Sequence, residues 1–255
     1  MAPVTYEAHD GVAWLTLNRP AVLNALDTDL VATLAEHAER AAADDGVFLV
    51  IVRGTGRAFC SGMDRTALAG GTIGEPFYRY WIRALNCLED MPKVSAAVLQ
   101  GYSIGGGLQL ALACDLRIAT EDAVLGLGAT RHGIIPDGAV LRLARVIGLG
   151  RAKELALLND DVSPREALAM GLVNRVCAPD DLDATVERLI AKVRSAAPTA
   201  TAYTKRLLHE SFHRDPRLMI EELIRRQDAC MTSWETAEAN RAWREKREAQ
   251  YHPKP

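Results

Sequence analysis

Two glycine-bearing loops and one aspartate are the residues of this chain whose types and spacing could do chemistry. The stretch "GTGRAFCSGMD", Gly54 to Asp64, carries glycines at 54, 56 and 62 around Ser61. A loop of such small residues can turn backbone N–H groups toward a ligand. The stretch "GYSIGGGLQLALACDL", Gly101 to Leu116, runs through three consecutive glycines, Gly105 to Gly107, into an apolar helix bearing Gln109. Glycine is about 1 kcal/mol worse than alanine inside a helix, so the triplet implies that something comes close to that backbone. A helix N-terminus offers unpaired N–H groups and the positive end of its dipole. Two backbone donors from these loops, converging on one oxygen, would make an oxyanion hole. Alone, each loop reads as an ordinary turn; their co-occurrence, each after a buried strand, points to function. The aspartate is Asp137, in "GIIPDGAV". With Ile134, Ile135 and Pro136 beside it, partial desolvation would make it a competent acid or base. Pro-Asp-Gly is equally turn chemistry, with Asp137 capping a helix from Ala139. The residues alone leave both readings open.

The elements that must position these groups alternate through the first half of the chain. "VAWLTLN" (Val12 to Asn18), "VFLVIVRG" (Val47 to Gly54) and "VSAAVLQG" (Val94 to Gly101) read as buried strands, as do "DLRIA" and "AVLGL". A helix follows the cap candidate Asp27, with Leu30, Leu34 and Ala38 at helical intervals. Near-continuous apolar strands separated by helices predict an α/β fold with a parallel sheet covered on both faces. The second half is helical. "AVLRLARVIGLGRAKELALL" breaks near Gly148 to Gly150, and Ser163, Pro164 and Glu166 announce a capping box ahead of a stop at Gly171. Three further helices are expected beyond Asp180, the last of them basic. The division expected is an α/β core over residues 1–195 and a helical region over 196–255 that packs on a neighbouring subunit.

Of the 255 residues, 49% are hydrophobic and 25% charged, which fits one globular core with an appendage. A net charge of -3 gives no global attraction to nucleic acid or an acidic membrane. No run approaches the roughly 18 apolar residues of a spanning helix, and no secretory signal is visible at the N-terminus. Cys60, Cys87, Cys114, Cys177 and Cys230 are odd in number and without metal-ligand spacing, so they read as thiols of a reducing, cytoplasmic compartment.

"LNRPAVLNALD", "GRAFCSGMD", "GYSIGGGLQLALACDLRIA" and "GIIPDGAVLRLARVIG" together resemble the crotonase family of enoyl-CoA hydratases and isomerases, in order and over essentially the whole chain. The resemblance implies a crotonase-like spiral of ββα units with a helical C-terminal region, assembled as a homotrimer or homohexamer. It implies a thioester enolate held by two backbone amides, which fall on Met63 and Gly106. It places Asn24, Ala25 and Leu26 with Ser61, Gly62, Met63 and Asp64 around the CoA adenine and pantetheine, and lends the last helix, through Lys246 and Arg247, to the CoA phosphates. A solvated basic face explains that helix equally well.

The departures matter as much. The positions of the two hydratase glutamates hold Gln109 and Ala129. An amide orients a water or a carbonyl but is no base near neutral pH, and alanine does neither. Asp137 falls on a third family position, where some isomerases keep a proton-shuttling aspartate; "GIIPDG" looks most like ring-opening isomerases. The expected activity is therefore an enoyl-CoA isomerase, or a rearrangement of an aromatic-derived CoA ester, with Gly105, Gln109, Ala129 and His132 lining the substrate site. CoA is part of the substrate, with no cofactor and no metal. Alternatives are a hydratase homologue with weak or no hydration, a non-catalytic acyl-CoA binder, and a hydrolase or dehalogenase using Asp137 as nucleophile with His132 as base. RNA binding has no stacking platform to support it. Thr66 to Leu88 should wall the acyl chain; Phe77, Tyr78, Tyr80 and Trp81 suit an aromatic pocket or an ordinary core, and the roles of Arg79 and Arg83 stay open.

Overall fold

The structure, a computed structural model, describes residues 2–252. Strand β1 (Val4–His9) turns at Asp10 and Gly11, both at positive φ, and pairs antiparallel with β2 (Val12–Leu17). Helix α1 (Thr28–Ala43) follows, begun by Asp27, whose carboxylate accepts the Leu30 N–H at 2.9 Å as the sequence predicted. Then come β3 (Leu49–Gly54), β4 (Ala58–Cys60), α2 (Arg65–Ala69) and α3 (Glu75–Asp90). The next two turns are β5 (Val94–Leu99), β6 (Tyr102–Ile104), α4 (Gly106–Ala113), and β7 (Leu116–Thr120), β8 (Val124–Gly126), α5 (Asp137–Val140). Helices α6 (Leu143–Leu158) and α7 (Pro164–Ala169) lead to β9 (Arg175–Cys177). Helix α6 is interrupted at Gly148 (φ 75°), and Ser163 with Glu166 forms the expected capping box of α7.

The order β1-β2-β3-β5-β7-β9 makes a six-stranded sheet, parallel from β2 onward. Strands β4, β6 and β8 make a second, parallel, three-stranded sheet. Each leaves the large sheet, adds one rung to the small one and returns through a helix, so the α/β fold is the crotonase-like spiral of ββα turns. The sequence showed β8 within the run Ala123 to Leu127, but β1, β4, β6 and β9 were not distinguished in it.

Strand side chains alternate between faces, and the core divides accordingly. Ala13, Leu15, Leu17, Val50, Val52, Ala97 and Leu99 face one core with α1, α3 and α4. Val12, Leu49, Ile51, Ala96, Val98 and Ile118 face another, closed by Val186 and Ile190 of α8 (Leu182–Arg194). Beyond α8 stand α9 (Pro198–Glu210), α10 (Pro216–Met231) and α11 (Trp234–Glu245). That makes four helices past Asp180 among the described residues, not three. The break is local chemistry: Asp215 accepts the Arg217 N–H and Pro216 opens α10. Neither α9 nor α10 buries any residue, and Leu208, Phe212, Leu218, Ile220, Leu223 and Ile224 are exposed. No helix among the described residues is long and apolar enough to cross a membrane.

Candidate active site

Asn24 ties the first loop to the scaffold. It is fully buried at φ 56°, and its Nδ2 donates to the carbonyls of Thr55, Ala58 and Phe59 at 3.0, 2.9 and 3.2 Å. Its Oδ1 accepts the Arg19 N–H at 2.8 Å. Ala25 and Leu26 then run beside Ser61 to Asp64: the Leu26 N–H donates to Gly62 O at 2.8 Å, and the Asp64 N–H to Leu26 O at 2.8 Å. Arg19 clamps the pair from one side, with Nη1 donating to Ala25 O at 2.5 Å and pairing with Asp27 at 3.0 Å, and Nη2 reaching Asp64 Oδ2 at 3.1 Å. Asp64 Oδ1 caps α2 through the Thr66 and Ala67 N–H groups. Burial alone would raise the Asp64 carboxyl; the Ala67 N–H, the Arg19 guanidinium and the Thr66 N–H outweigh it and hold the group below the ordinary carboxylate range. Asn24 and Asp64 thus act inward, shaping the loop.

The second loop abuts the first. A Cβ on Gly62 (φ 93°) would lie 2.9 Å from Ile104 O and 3.3 Å from Gly106 N. The glycine triplet has three separate causes inside the protein. Gly105 sits at φ 56°, ψ -119°; a Cβ on Gly106 would strike the Leu26 side chain; one on Gly107 would strike the Cys60 carbonyl. The close approach expected of a ligand is made here by protein atoms. The Met63 and Gly106 N–H groups have no hydrogen-bond partner among the described residues. The two loops therefore bring two unpaired backbone donors to adjoining positions.

Asp137 is the first residue of α5, so it does not cap a helix begun at Ala139; Pro136 occupies the cap position without a side-chain bond. The cap is supplied from α4: Gln109, 5% exposed, accepts the Gly138 N–H on Oε1 at 2.7 Å. The same N–H lies 2.8 Å from Asp137 Oδ1, which also accepts the Trp81 indole N–H at 3.3 Å. The Arg142 guanidinium donates to Gly138 O at 3.1 Å and to Asn86 Oδ1 at 2.8 Å, and pairs with Glu89 at 2.5 Å. Short as it is, α5 is held through both the N–H and the carbonyl of Gly138. The apolar shelter beside Asp137 comes from Trp81 and from Leu85 against Gly138, while Ile135 points outward at 72% exposure.

Ala129 is buried, and His132 is exposed at the end of the Ala129–His132 turn, with no hydrogen bond joining it to Asp137 among the described residues. Phe77 and Trp81 are core residues of α3, whereas Tyr78 is exposed. Arg79 pairs with Glu75 and Arg83 with Glu39, so both of those arginines are engaged on the surface. Arg247 is bound to Glu238 and Glu245, and exposed Lys246 ends α11. An apolar cavity of about 670 Å³ lies under α9, between Leu112, Val146, Lys205 and Phe212, away from the paired donors. Sequence reasoning missed Arg19 and the Trp81 contact; only the buried-face spacing of Trp81 on α3 hinted at it.

Residues 7–254 match the family model described as enoyl-CoA hydratase/isomerase. YngF of Bacillus subtilis, which carries an enoyl-CoA hydratase/isomerase name, is 37% identical over 250 residues, covering 95% of each chain. A short-chain-enoyl-CoA hydratase of Clostridium acetobutylicum is 32% identical over 248 residues, covering 96% of this chain and 95% of its own. The crystal structure of an enoyl-CoA hydratase/isomerase from Marinobacter aquaeolei superposes with a TM-score of 0.90 at 30% identity, over 98% of both chains.

Proposed function

The chain belongs to the enoyl-CoA hydratase/isomerase family, and within it we propose an enoyl-CoA isomerase that moves a double bond with one carboxylate. The Met63 and Gly106 N–H groups hold the thioester oxygen. Asp137 removes a proton from C2 of a 3-enoyl thioester, and the electron pair delocalises through the dienolate onto that oxygen. The same carboxyl returns the proton to C4, giving the 2-enoyl isomer with nothing gained or lost. Removing one such donor typically costs about 3 kcal/mol of barrier. Ala25, Leu26, Ser61 and Gly62 line the CoA side, and CoA enters as part of the substrate.

The observation that carries this reading is the acid inventory. Positions 109 and 129 are Gln and Ala, the Gln109 carbonyl is already committed to Gly138, and of the three positions only Asp137 is an acid, with an Oδ2 that has no protein partner among the described residues. Incubating a panel of enoyl- and aryl-acyl-CoA esters in heavy water, followed by mass spectrometry, tests it. A shifted double bond without the mass of water is expected, with solvent deuterium entering only in the fraction of turnovers in which the proton on Asp137 exchanges, and the shift is lost on Asp137→Ala. A mass gain of water as the main product overturns it and favours the second reading, hydration, which the name of the Clostridium relative supports.

The exposed apolar side chains of α9 and α10 support assembly as a homotrimer or homohexamer through the C-terminal helices. Five free cysteines, with burial pushing the Cys60 and Cys114 thiols up to about 12, fit a reducing compartment, and the cytoplasm is the location proposed.

A further inference from the structure

We infer that Trp81 is a positioning residue that assigns the two oxygens of Asp137 different tasks; the inference rests on Asp137 being the acid–base group. Oδ1 has two partners, the Trp81 indole N–H at 3.3 Å and the Gly138 N–H at 2.8 Å. Both are donors only, so Oδ1 must present lone pairs to each of them and cannot hold the proton while both bonds stand. The proton taken from the substrate therefore resides on Oδ2, which has no protein partner among the described residues. One oxygen then serves both C2 and C4, and the transfer runs along one face of the acyl chain.

The scaffold suits this task. Trp81 is 2% exposed and stacks on Phe77, with ring centroids 6.5 Å apart, so the indole cannot swing away. Leu85, one turn further along α3, packs against Gly138, and Glu89 holds Arg142, which grips the Gly138 carbonyl. Successive turns of α3 thus hold α5, and the indole sets the carboxylate orientation within that grip. The buried N–H would lose its partner if Asp137 rotated, which opposes rotation.

Trp81→Phe keeps the ring and removes the donor. The variant should fold with a near-native melting midpoint and lower kcat about tenfold, with KM for the CoA ester within about twofold. With Oδ1 released, it can take a proton from solvent, so the fraction of isomerised product carrying solvent deuterium should rise. A purely structural role would change rate or KM without moving that fraction. Wild-type kcat in Trp81→Phe, or a fall in kcat with an unchanged deuterium fraction, overturns the inference. Asp137→Ala measured alongside separates the two claims: wild-type rates in that variant sink the isomerase reading itself.

Discussion

Gln109 Oε1 accepts the Gly138 N–H at 2.7 Å, across the gap between α4 and the first turn of α5. The Gln109 amide is therefore turned toward the protein, where it caps the helix that begins with Asp137. A residue that reads in the sequence as the loss of an acid is, in the fold, part of how the turn carrying Asp137 is held.

Replacing Gln109 separates these roles. Gln109→Ala removes the cap acceptor from a buried N–H and should lower stability by about 1–2 kcal/mol. Gln109→Glu keeps an acceptor at the same place and should melt closer to the wild type. Thermal denaturation of both variants checks the order, and an alanine variant as stable as wild type would show that the contact contributes nothing.

What could be read from the sequence was local. Asp27, Ser163 and Gly148 act on their own segments, and their cap, capping box and break stand where they were expected. The two glycine loops were visible because each follows an apolar strand. The reason for the triplet was not, since Gly106 answers to Leu26 and Gly107 to Cys60, both far away along the chain. Trp81 and Asp137 are 56 positions apart, and Arg19 and Asp64 are 45 apart; no spacing rule joins such pairs. The strands β4, β6 and β9 are three residues each, too short for an alternation to register, and β8 showed only as part of the apolar run Ala123 to Leu127.

The glycines make a graded prediction. Alanine at 107 meets the backbone carbonyl of Cys60, which cannot step aside, and should cost about 1–3 kcal/mol or more. Alanine at 106 meets the end of the flexible Leu26 side chain and should cost less. Shortening Leu26 to Ala should recover part of the loss in Gly106→Ala but none in Gly107→Ala. Denaturant titration of the four variants reads this, and equal rescue at both glycines would contradict the packing argument.

The exposed apolar face of α10 gives a prediction about assembly. Ile224, 55% exposed, follows Leu223, 52% exposed, on a helix that buries nothing within the chain. If these side chains are covered by another copy, Ile224→Asp places a charge in an apolar contact and should reduce the mass seen by light scattering. A wild-type chain that is monomeric at micromolar concentration would remove the basis for the C-terminal contact.

The Arg19–Asp64 pair sets an acid limit on the loop from Ser61 to Asp64. The folded carboxyl of Asp64 lies below its unfolded value of about 3.9. A lowered carboxyl stabilises the fold fully above the unfolded value, and that contribution disappears as pH falls through the folded one. Wild-type melting temperature should therefore drop as the pH is taken below about 4, in part because protonated Asp64 releases Arg19 and weakens the cap of α2. Asp64→Asn leaves an oxygen to cap α2 but no charge for Arg19, so it should be less stable than wild type near neutral pH. The difference should shrink as the pH falls. Melting curves of both proteins from pH 7 to 3 measure the gap, and a gap that stays constant or widens toward acid would mean that the charge on Asp64 does not hold the loop.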